Sequence, residues 1–68
     1  MRDPNRLDKF FDEFKEIYKK KFPDWRFFQL MSNFMGWVYQ EQKKDPWFVE
    51  ENQCMELFKK FSEEMSPY

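Results

Sequence analysis

Histidine and threonine are absent from this 68-residue chain, and cysteine and glycine occur once each, at Cys54 and Gly36. Without histidine, nucleophile–base pairs of the Ser–His or Cys–His kind cannot be assembled. A phosphate-binding loop or dinucleotide fingerprint needs several glycines and a strand, and neither is available. A single cysteine excludes an intramolecular disulfide and suits a reducing compartment. No apolar run approaches the ~20 residues of a membrane span; the best candidate is interrupted by Arg26, Gln29, Ser32, Asn33 and Gln40. The opening MRDPNRLDKFF lacks the apolar core and cleavage site of a signal peptide, so a cytoplasmic location is expected.

The chain is instead rich in aromatics, with ten Phe, three Trp and three Tyr. That exceeds what one small core needs, since each can bury about 150–250 Å². The excess points to surface aromatics or to a second copy of the chain. The net charge of −1 conceals an asymmetry. Residues 1–22 sum to +2 (seven cations, five anions) and residues 45–68 to −4 (two cations, six anions). The two ends should attract each other, within one molecule or head to tail between two.

The periodicity predicts an all-α fold, a single small three-helix domain over residues 1–68 with helices at about 4–21, 25–40 and 51–64. Asp3–Pro4 is a helix-start signal. Leu7, Phe10, Phe11, Phe14, Ile17 and Tyr18 then form a stripe about 140° wide, and Lys19, Lys20 and Lys21 complement the helix dipole. Phe22–Pro23 should close helix 1, and Asp24 should cap helix 2. Helix 2 is apolar over roughly 200°, from Trp37, Leu30 and Phe34 through Phe27, Val38 and Met31 to Met35, Phe28 and Tyr39. Such an arc needs covering twice, so helix 2 is expected to be central, flanked by helices 1 and 3. Gln40–Lys44 reads as a loop and Pro46–Val49 as a turn or short extended piece. Starting helix 3 near Glu50 or Glu51 keeps these carboxylates out of its stripe of Cys54, Leu57, Phe58, Phe61 and Met65.

Few side chains offer chemistry. Cys54 falls in the apolar stripe and reads as a buried, inert thiol. Asp8, Asp12 and Glu16 recur along a solvated face, and the adjacent pairs Glu50–Glu51 and Glu63–Glu64 diverge on a helix, so no metal or cofactor site is expected. Arg26, Gln29, Asn33, Gly36 and Gln40 form a polar seam on helix 2, a candidate interaction face; alternatively its side chains satisfy nearby backbone groups, hydrate, or pair Arg26 with Asp24 or a C-terminal glutamate. Gly36 suits close approach of another backbone, a bend, or tolerance near a helix end. Trp47 and Phe48 read either as a lid over the groove between helices 1 and 2 or as exposed aromatic anchors.

Three segments, DPNRL, PDWRFFQLMSN and DPWFVEEN, resemble a family of short uncharacterised bacterial proteins. The matching positions are Asp3, Pro4 and Arg6, then Pro23, Asp24, Arg26, Gln29, Leu30 and Asn33, then Asp45, Pro46, Trp47 and Phe48. The resemblance implies a compact bacterial domain and transfers no activity. The reading that follows is a non-enzymatic protein–protein interaction module that self-associates, as a homodimer. The alternative is a small nucleic-acid-associated regulatory protein, resting on Lys19–Lys21 near aromatics and opposed by the acidic balance of the chain.

Overall fold

A computed structural model of the chain describes residues 2–68. Three helices form, α1 (Arg6–Lys21), α2 (Phe27–Glu41) and α3 (Glu51–Met65), with a 3₁₀ turn at Pro46–Phe48 before α3, and no strand among the described residues. Among the described residues no helix is long and apolar enough to cross a membrane.

The start signals act through local hydrogen bonds. Asp3 Oδ1 accepts from the Asn5 N–H (3.0 Å), and the Arg6 and Leu7 N–H groups bond the Asp3 and Pro4 carbonyls in a turn that leads into α1. The same chemistry recurs at Asp45, whose carboxylate accepts from the Trp47 N–H at 3.0 Å ahead of the 3₁₀ turn. α1 ends at Phe22, as the following proline requires.

Helix 2 departs from expectation at its start. Asp24 does not cap it; Arg26 takes the cap position, and the Gln29 side chain accepts from the Arg26 N–H at 2.9 Å. The delay has a packing cause. Phe22 is fully buried, its ring lies 4.7 Å from that of Trp25, and the Trp25 N–H bonds the Phe22 carbonyl. Tyr18 Oη donates to the Trp25 carbonyl at 2.6 Å. The connector is thus turned and held before the helix can begin. Asp24 is engaged elsewhere, accepting from the Tyr68 hydroxyl at 2.6 Å, while Ser66 Oγ donates to the Lys21 carbonyl at 2.8 Å. The C-terminal residues are therefore tied to the α1–α2 connector.

α3, not α2, is the helix packed closely against both others. Its buried residues Met55, Leu57, Phe58, Phe61 and Ser62 spread over about 160° of the helix, wider than the expected stripe. Met65, assigned to that stripe, is exposed, and Cys54 is only half-buried. α1 runs alongside α3 in the same direction. Arg6 with Glu51, Phe14 with Phe58 and Glu13 with Lys59 meet in step along the two helices. The opposite charges of the two chain ends are thus joined within one molecule, with Arg2–Glu50 as a third ion pair. α2 meets α3 around Phe34 and Trp37, which pack on Phe58 and Phe61. Between α1 and α2 the aromatic contact is Phe14 against Phe27, ring centroids 6.5 Å apart. The radius of gyration, 12.0 Å, exceeds the ~11 Å of a compact domain this long, in keeping with an extended 37 × 26 × 19 Å shape.

Phe61 is fully buried among Phe22, Phe34, Trp37 and Phe58. Phe61→Ala should cost about 3–5 kcal/mol. Glu13→Gln, which opens a solvent-facing pair with Lys59 at 3.0 Å, should cost under ~1 kcal/mol. Urea denaturation followed by tryptophan fluorescence measures both.

Candidate interaction surface

The buried face of α2 consists of Leu30, Phe34, Trp37 and Val38. These residues fill only half of its apolar arc. The other half stands in solvent, with Phe28 82%, Tyr39 66% and Met35 49% exposed and Met31 half-buried beside them, whereas Phe27, at the start of the helix, lies on the buried side against Phe14. The expected covering of α2 by two outer helices does not occur, because α1 lies along α3 and reaches α2 through Phe14 alone among its rings. This exposed, contiguous apolar face is the candidate interaction surface of the chain.

The polar seam lies next to it. Arg26, Gln29, Asn33, Gly36 and Gln40 are all exposed. Gln29 is occupied with the helix start, and Asn33 Nδ2 donates to the Gln29 carbonyl at 2.9 Å, so both largely satisfy their own helix. The expected pairing of Arg26 with Asp24 or a C-terminal glutamate is not found among the described residues; Asp24 faces Tyr68 instead. A Cβ on Gly36 would meet nothing within 4 Å, so no backbone of this chain requires the glycine there.

Trp47 and Phe48 are 84% and 79% exposed. They do not form a lid over the groove between α1 and α2. The 3₁₀ turn packs against α2 instead, and the Asp45 cap with Pro46 in the first turn fixes its backbone with both rings pointing into solvent.

An open groove of about 760 Å³ lies between α1 and α3. Its rim is charged, but Arg6, Glu13, Glu50, Glu51 and Lys59 are committed to ion pairs. Among the described residues no group of three or more Cys, Asp or Glu is arranged to hold a metal ion. Burial, with the Glu51 charge adding to it, raises the Cys54 thiol above its ordinary value of 9.0 and keeps it protonated, unsuited to nucleophilic chemistry.

Two measurements probe these assignments. The hydrogen bond from Arg6 Nε to Glu51 Oε1 (2.7 Å), opposed by desolvation and aided by the guanidinium charge, holds the Glu51 carboxyl below its ordinary value of 4.5. A depressed folded-state value contributes stability that is present above 4.5 and lost as pH falls through the lower folded value. Glu51→Gln should therefore narrow the stability difference between about pH 7 and about pH 3 in urea titrations. Asn33→Leu removes a bond internal to α2 and should leave both stability and association nearly unchanged, as read by thermal melts and sedimentation. Compared with known protein families, curated proteins and solved structures, the chain matches none.

Proposed function

We propose that this chain is a small, non-enzymatic protein-interaction module that self-associates. The observation that carries the reading is the solvent-facing apolar half of α2, formed by Phe28, Met35 and Tyr39. Leaving these side chains in water is unfavourable by about 25 cal/mol for each Å² of apolar surface, and contact with another protein removes that cost. Trp47 and Phe48 supply a second contact point, rigid enough that little conformational freedom is lost when they are buried. The polar seam of Arg26, Gln29, Asn33, Gly36 and Gln40 forms the rim of the α2 surface rather than its centre. The lone, protonated Cys54 is compatible with the cytoplasm of a bacterial cell.

Nucleic-acid binding has less support. Lys19, Lys20 and Lys21 fill the last turn of α1, where they complement the helix dipole, and the chain as a whole is acidic.

Sedimentation equilibrium at micromolar concentration should show a reversible dimer. Met35→Lys, placed on the exposed face, should shift it to monomer while leaving the helical circular dichroism unchanged. A wild-type chain that stays monomeric throughout would overturn the self-association reading, and a mobility shift with DNA or RNA at low salt would favour the nucleic-acid alternative.

A further inference from the structure

We infer that the second copy docks through α2 itself, in an antiparallel two-fold pair whose seam is Phe28, Ser32, Met35 and Tyr39. This rests on the self-association proposed above and adds its face, its direction and its register.

The seam follows from spacing. Positions 28, 32, 35 and 39 advance by four, three and four residues and lie on one side of a helix. That order reads the same in both directions. An antiparallel partner related by a two-fold axis midway between Ser32 and Met35 therefore brings Phe28 of each copy to Tyr39 of the other, and Met35 of each to Ser32 of the other. Large side chains meet small ones at the centre and aromatic rings meet at both ends, as interdigitating helix surfaces require. A parallel pair would instead oppose Ser32 to Ser32, leaving a gap there, and crowd Met35 against Met35.

Charge and area both favour a second copy as the occupant. In a two-fold contact each residue of the patch meets another residue of the same patch, so a patch without charges brings neither like nor unpaired charges together. Residues 27–40 contain no Asp, Glu, Lys or Arg. The contact is thus free of self-repulsion although both flanks of α2 are charged. At about 200 Å² for each large side chain, the exposed fractions of Phe28, Met35 and Tyr39 offer on the order of 400 Å² per copy. The pair would bury about 800 Å² from these residues alone, close to the ~1,000 Å² lower bound for a specific interface. Ser32, Gly36 and the polar rim add to it.

A charge exchange tests the register. Phe28→Glu and Tyr39→Lys alter exposed positions, so each variant should keep its circular dichroism spectrum and melting behaviour as a monomer. In sedimentation equilibrium each variant alone should dimerise at least about tenfold more weakly than wild type, because its buried charge has no partner. An equimolar mixture should recover dimer. In the antiparallel pair the introduced carboxylate meets the introduced ammonium at one end, and the native Phe28 and Tyr39 meet at the other. A wild-type dimer whose mixed variants stay monomeric would overturn the antiparallel register and leave self-association standing. Single variants that dimerise as well as wild type would overturn the assignment of this face. A monomeric wild type would overturn both readings at once.

Discussion

Two phenylalanine rings on α3 gather the molecule. Phe58 lies 4.9 Å from Phe14, 5.1 Å from Phe34 and 6.2 Å from Phe22, so one side chain touches α1, α2 and the connector between them. One turn later Phe61 repeats the arrangement, at 5.5 Å from Phe22, 5.3 Å from Phe34 and 5.5 Å from Trp37. Tilted and edge-on ring contacts of this kind add to the burial of large apolar area, and in a chain this short they supply most of the core. Because both rings belong to α3, the other helices must come to it. α1 lies along α3 and meets α2 through the Phe14–Phe27 ring contact.

This constraint produces the surface. α2 carries an apolar arc sized for two neighbours and receives one, since α1 is drawn to α3 by Phe14 and by the ion pairs of Arg6 and Glu13. Those exposed pairs contribute little stability individually. Their effect is on direction: complementary charges at matching points along both helices favour the parallel arrangement and disfavour a shift. The uncovered half of α2 is the apolar face on which the proposed pairing relies.

Several polar residues near the helix and turn starts do structural work in this chain. Asp3 and Asp45 accept from backbone N–H groups at helix and turn starts, Gln29 caps α2, Asn33 bonds within it, and Arg6 joins α1 to α3. They describe how the helices are begun and joined. Trp47 and Phe48, by contrast, are held on a fixed turn yet left in solvent.

Local chemistry determined the helices. The three- and four-residue spacing, the Asp–Pro starts, the stop at Phe22–Pro23 and the exclusion of Glu50 and Glu51 from a core could all be read along the chain, because each depends on residues a turn or less apart. The beginning of α2 could not be, since it depends on the burial of Phe22 under α3. Nor could the identity of the central helix. Helical periodicity measures how wide an apolar arc is, and a wide arc on α2 looks the same whether a neighbouring helix of the chain covers it or solvent does. Phe58 and Phe61, with the charges that align α1 on α3, decided that only at the level of tertiary packing. They also moved the candidate surface from the polar seam to the apolar side of the same helix.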